Sequence, residues 1–355
     1  LYLDWGIFQK FMSFLDQRAQ SSTRKSAKHG EANPNYKITC ANAAIAAVKF
    51  LKREVSTRRK FLDVEMIETY NVFHQQQKEY SMTHYPEDDK DAIQTWVELP
   101  ELKRAWESLK EEAMTPLAEG ASEKEQLQHA QIWQKYTLMS LWLGLPPMRS
   151  GIMRTLHVLD KPPVPGPKCP NAIYWDEKKG TYIMFTPIHK NSRRKRKHML
   201  HLALPTDLFT PILKTYIGHH RPKLLALQTS GASSCPRCHF TTQDPCYQCK
   251  GSGQTCTLFL NHIGEAFSKA TFSQWVPTIW AKWTESGTQM PAKLLRDIVV
   301  TDLGTRGVPE AIWESYGFMM GHSRETQART YDKRTQKQRS RLALEDIAAA
   351  REGDD

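Results

Sequence analysis

Apolar residues along this chain recur at helical spacing far more often than they alternate. Trp5, Phe8, Phe11, Met12 and Leu15 line one side of a segment that ends near residue 20, the period of an amphipathic helix. The same spacing predicts helices over 40–55, 64–80, 100–115, 123–144, 208–217, 265–283, 291–304 and 309–316. Two β-prone runs, Ala172-Ile-Tyr-Trp175 and Tyr182-Ile-Met-Phe185, are joined by a strand, basic turn and returning strand over Ile188–Leu202. They predict one small antiparallel sheet. The expected fold class is mainly α with that sheet (α+β), and no internal repeat is visible.

A polar, basic stretch over 21–35 and the charged break Pro86-Glu-Asp-Asp-Lys90 punctuate the pattern. We therefore expect an all-helical domain over 1–90 and a second domain over 91–355, and a chain of 355 residues is long enough to give both a core. Hydrophobic content of 40% with 10 Trp and 13 Phe argues against disorder. Lys and Arg number 49 against 38 Asp and Glu, a net charge of +11 that favours a polyanionic partner. No apolar run approaches the ~20 residues that span a bilayer, and no signal peptide opens the chain. The expected location is intracellular, without membrane association.

The candidate chemistry gathers late in the chain. Met319-Met-Gly-His-Ser-Arg-Glu-Thr-Gln-Ala-Arg-Thr-Tyr331 is a Gly-His-Ser turn opening a short polar helix that ends in a lone tyrosine. A phenol is a weak nucleophile, so a catalytic tyrosine needs cations to hold its electrophile and absorb developing charge. Pro291-Ala-Lys-Leu-Leu-Arg296 sets Lys293 and Arg296 at i, i+3 on one helix face, and Leu143-Gly-Leu-Pro-Pro-Met-Arg149 ends a helix at a Pro-Pro turn that delivers Arg149. The strand before the basic turn carries Lys190. Taken singly, Tyr331 reads as a surface aromatic and each cation as an ordinary salt-bridge partner; their joint order carries the signal.

In that order, Arg149, Lys190, Lys293-x-x-Arg296, His322 and Tyr331 resemble the active site of the tyrosine recombinases, the phage-integrase family, over roughly residues 92–335. The connecting segment Leu258–Trp275 resembles the family's strand, turn and helix before the second arginine. The Pro146-Pro147-Met148-Arg149 turn is similar to that of the Crypton-like recombinases of eukaryotic mobile elements. The resemblance implies a helical N-terminal DNA-clamp (core-binding) domain and an integrase-like catalytic domain acting on double-stranded DNA as a tetramer on two sites, in the nucleus if the host is eukaryotic.

It also implies a mechanism. Tyr331 would attack a scissile phosphate to give a 3′-phosphotyrosyl link and a free 5′-hydroxyl, and a second 5′-hydroxyl would rejoin the strand. Arg149 and Arg296 would fork onto the non-bridging oxygens. His322 would add a hydrogen bond, and Lys190 would protonate the leaving oxygen. The phosphotyrosine conserves the bond energy, so neither metal nor ATP is expected in catalysis. Two departures stand out: Ser150, Gly151 and Ile152 occupy the positions where an acidic residue commonly follows the first arginine, and Lys293 stands where many relatives have histidine. A catalytically weakened or domesticated DNA-binding protein of the same fold is the alternative, as is a type IB topoisomerase.

Arg193-Arg194-Lys195-Arg196-Lys197 is a solvated hairpin tip, a DNA-phosphate-contacting turn or a nuclear import signal, with the DNA-facing turn favoured by its position. Cys235-Pro-Arg-Cys238 and Cys246-Tyr-Gln-Cys249 form a four-thiolate zinc pattern within an insertion over 231–256. The ion would be structural. A tail over 335–352, with Leu342, Leu344, Ile347 and Ala348 on one stripe, predicts a C-terminal helix that docks on a neighbouring protomer or folds back on its own domain.

Overall fold

The computed structural model describes residues 4–20, 32–56, 61, 63–84, 93–164, 169–187, 200–227, 255–322, 326–335 and 338. The chain divides into two compact units, Leu1–Asp88 and Asp89–Asp355. The first holds helices α1 (Trp5–Gln20), α2 (Pro34–Leu51) and α3 (Glu65–His84). Helix α2 starts ahead of its alanine-rich run because the Asn33 side chain accepts from Asn35 N at 2.9 Å and Pro34 takes the first helical position. Phe8, Met12, Ala41, Ile45, Val48, Ile67 and Tyr70 close a small core among these helices. Phe8 meets Tyr70 edge-on at 4.9 Å. Lys37 is buried there with its charge paired to Asp16 at 2.8 Å, which limits the penalty of taking it out of water.

The second unit is built around helix α5 (Glu123–Leu143), which follows α4 (Leu99–Met114). Ser122 and Glu125 form a reciprocal capping box at the start of α5. Its second half, from Trp133 to Trp142, is buried almost continuously. Such a helix lies inside the fold and cannot cover one face of it. Gln134 sits in this interior with its amide satisfied: Nε2 donates to Leu260 O at 2.9 Å, while Oε1 accepts from Leu260 N and Tyr216 Oη, both at 2.8 Å. Those bonds pin the 258–260 segment against α5. After α5 come α6 (Ser150–Arg154), the strands of a small sheet, and α7 (Thr206–Thr215), which runs through a wide turn into α8 (Arg221–Leu225). Helices α9 (Lys269–Trp283), α10 (Leu294–Thr305) and α11 (Glu310–Met320) follow.

The sheet is mixed, which corrects the antiparallel expectation. Strands β2 (Ala172–Asp176), β3 (Thr181–Thr186) and β4 (Leu200–Ala203) pair antiparallel, but β1 (His157–Leu159) runs parallel to β2. Parallel neighbours need a crossover of a dozen or more residues, and twelve residues, 160–171, separate the two strands along the sequence. Strand β1 is too short to show alternation in sequence. Among the described residues, no helix is long and apolar enough to cross a membrane.

Candidate active site

Arg149 stands at the N-cap of α6, just past the Pro146-Pro147 turn. Trp142 Nε1 donates to Met148 O at 3.3 Å, so the buried end of α5 fixes the turn that delivers this arginine. One guanidinium nitrogen of Arg149, Nη1, is buried with no hydrogen-bond partner among the described residues.

Arg296 comes from α10, a helix buried from Leu294 to Thr301 and again at Leu303 and Gly304. Its side chain is 4% exposed. Nη2 donates to Met320 O at 2.6 Å and Nη1 to Tyr331 Oη at 3.1 Å. The guanidinium carbon lies 4.7 Å from the centre of the Tyr331 ring. Burial lowers the Arg296 pKa from its ordinary value; Tyr331 opposes that, the nearby Arg149 charge adds to it, and Asp297 opposes it again. The Arg149 and Arg296 charges repel each other, and an oxyanion between them would relieve that repulsion.

Helix α11 ends at Gly321, whose φ of 72° only glycine adopts without strain. His322 N then donates to Gly317 O at 2.9 Å, closing the cap and aiming the imidazole back toward the site. The His322 and Tyr331 rings stack at 4.6 Å with 27° between their planes. Tyr331 itself ends a wide helical turn, Gln327–Tyr331.

Four predicted residues therefore converge: Arg149, Arg296, His322 and Tyr331. Lys293 occupies the exposed N-cap of α10, one turn ahead of the buried Arg296. Lys190, Arg193, Arg194, Lys195, Arg196, Lys197 and the four cysteines Cys235, Cys238, Cys246 and Cys249 lie outside the described residues, as does most of the 335–352 tail. Among the described residues, no cluster of histidine, cysteine or acidic side chains is arranged to hold a metal ion.

The sequence pattern did not single out several residues that shape the site. Asp297 is a buried carboxylate beside Arg296 and supports its charge. Thr301, Gly304, Asp332 and Arg334 hold the chain on the far side of Tyr331. Only the spacing of Thr301 from Arg296 along one helix could have hinted at this. The chain matches no protein-family profile and no curated protein.

Proposed function

We propose that this chain is a DNA strand transferase of the tyrosine recombinase kind, with Tyr331 as nucleophile and Arg149 and Arg296 as the phosphate clamp. The observation that carries the reading is the Arg296 fork donating to Tyr331 Oη at 3.1 Å while the charge of Arg149 acts on the same guanidinium. Two cations beside the attacking oxygen can hold a phosphodiester there and absorb the charge that develops on it. His322, whose ring stacks on the nucleophile's at 4.6 Å, would donate to a non-bridging oxygen. Tyr331 Oη would form the bond to phosphorus as the bond to the 5′-oxygen breaks, with the phenol's proton passing to water and the leaving 5′-oxygen taking a proton from Lys190. We further propose double-stranded DNA as the substrate, supported by the +11 net charge, and a structural zinc on Cys235, Cys238, Cys246 and Cys249.

The test is incubation with a panel of nicked DNA duplexes, looking for a protein–DNA adduct that survives detergent. Tyr331→Phe should abolish the adduct and leave DNA affinity near wild type, because affinity comes mainly from phosphate contacts. An adduct that persists in this variant sinks the assignment. The second reading, a DNA-binding protein without strand transfer, is favoured by one observation. Arg149 Nη1 has no partner among the described residues, and the chain has no acidic residue at 150–152 to orient it. DNA binding without any adduct would select that reading.

A further inference from the structure

Immediately beyond Tyr331 the chain is fastened to α10, the helix that carries Arg296. Thr301 Oγ1 donates to Tyr331 O at 3.3 Å and accepts from Lys333 N at 2.8 Å. One hydroxyl thus ties both sides of Asp332. Asp332 is 6% exposed, and its carboxylate takes Arg334 Nη2 at 2.9 Å and Arg334 Nε at 3.1 Å. The other end of the guanidinium, Nη1, donates to Gly304 O at 2.7 Å. A Cβ on Gly304 would stand 2.7 Å from Arg334 Cζ, so a side chain at 304 would force the guanidinium to shift.

We infer that the Thr301–Gly304–Asp332–Arg334 set is a positioning device that seats Tyr331 against Arg296 of the same chain, completed by residue 334. The chemistry of this inference rests on the strand-transferase reading; its structural half does not. Arg334 and Asp332 do not touch the reacting oxygen. They act by holding the backbone from which Tyr331 projects, and a nucleophile displaced by 1 Å loses about a hundredfold in rate. A bidentate, partly buried Arg–Asp pair is a suitable latch, because a point-charge lysine cannot bridge the carboxylate and the Gly304 carbonyl together. The bonds that make the seat among the described residues all lie within one chain, between residues 301 and 334.

The experiment uses the full chain and compares wild type, Arg334→Ala, Arg334→Lys, Gly304→Ala and Tyr331→Phe. Amide hydrogen exchange over 326–335, measured without DNA, reports the latch by itself. Adduct formation on the nicked duplex reports its use. Arg334→Ala and Gly304→Ala should each raise exchange in this segment and slow adduct formation at least about tenfold. DNA affinity and exchange in α5 should stay at wild-type values, and Arg334→Lys should recover only part of the rate. Wild-type exchange and wild-type adduct rates in Arg334→Ala overturn the inference, as does loss of protection throughout the unit. If the wild type forms no adduct on any duplex, the strand-transferase reading fails. Exchange then decides the latch alone: unchanged protection over 326–335 overturns it.

Discussion

Replacing Arg296 with methionine is expected to leave the protein folded and remove its response to phosphate. The side chain is 4% exposed, and withdrawing an ion that far from water costs several kcal/mol. Against this stand donations to Met320 O at 2.6 Å and Tyr331 Oη at 3.1 Å, each contributing about 1.5–3 kcal/mol as charge-assisted bonds. The face contact with the Tyr331 ring adds about 1–2 kcal/mol where water is excluded. The two sides nearly cancel; the Arg149 charge subtracts from the favourable one and the Asp297 carboxylate adds to it. Methionine fills a similar length with flexible apolar chain, but it leaves Met320 O seeking another donor. The net change should fall within about 2 kcal/mol, or about 4–8 °C in melting temperature for a unit of this size. Inorganic phosphate, titrated at constant ionic strength, should stabilise the wild type by about 1.4 kcal/mol at ten times its dissociation constant. The variant should show little of that gain. A destabilisation beyond about 4 kcal/mol, or an undiminished phosphate response, would make Arg296 a structural strut and remove the basis for a two-arginine phosphate site.

Two further predictions concern other parts of the chain. His220 is buried against Trp133, with ring centroids 4.9 Å apart; burial, then the charges of His129, Lys223 and His219, push its pKa down from 6.5 to about 4. Its contribution to stability is complete above pH 6.5 and falls as pH drops toward 4, by on the order of 3 kcal/mol at most. Urea midpoints at pH 7.5 and 4.5 should differ less for His220→Phe than for wild type, and equal differences would show that this histidine does not titrate as described. Protein purified under reducing conditions should carry one zinc per chain, lost in Cys235→Ser or Cys246→Ser; metal analysis finding none in the wild type removes the four-thiolate site.

The helices were legible where one side of each faces a core. The stripe Leu102, Ala105 and Leu109 in α4 repeats at three and four residues and is fully buried, so pattern and structure coincide there. Helix α10 is legible for a different reason: it is apolar on most sides, and a cation within such a run has to be functional or paired. Arg296 proves to be both hydrogen-bonded and stacked on the candidate nucleophile. What escaped the pattern was pairing over long range. Strand β1 finds a parallel neighbour across a proline-rich crossover, and three residues carry no periodicity. The latch escaped because Thr301 and Gly304 read as ordinary helix positions and Asp332 and Arg334 as a polar turn. Their meaning arises only when the chain folds back more than a full helix length to place them together.

That latch changes what removal of the C-terminal tail should do. The apolar stripe over 342–348 predicts a helix that docks on another surface, whereas the bonds that seat Tyr331 among the described residues reach as far as Arg334, and Thr335 N donates to Gln338 Oε1 at 3.0 Å. Cutting after Gln338 should therefore preserve the seat and spare adduct formation on a nicked duplex. If the tail joins protomers, the same cut should reduce complexes that hold two duplexes together and the recombinant product they yield. Cutting after Lys333 removes Arg334 as well, takes its guanidinium away from the buried Asp332 carboxylate, and should slow the adduct step itself by at least about tenfold. The two truncations thus separate assembly from chemistry. Equal adduct rates in both would place the seat of the nucleophile elsewhere, and full recombination after the shorter cut would make the tail a local cap on its own unit.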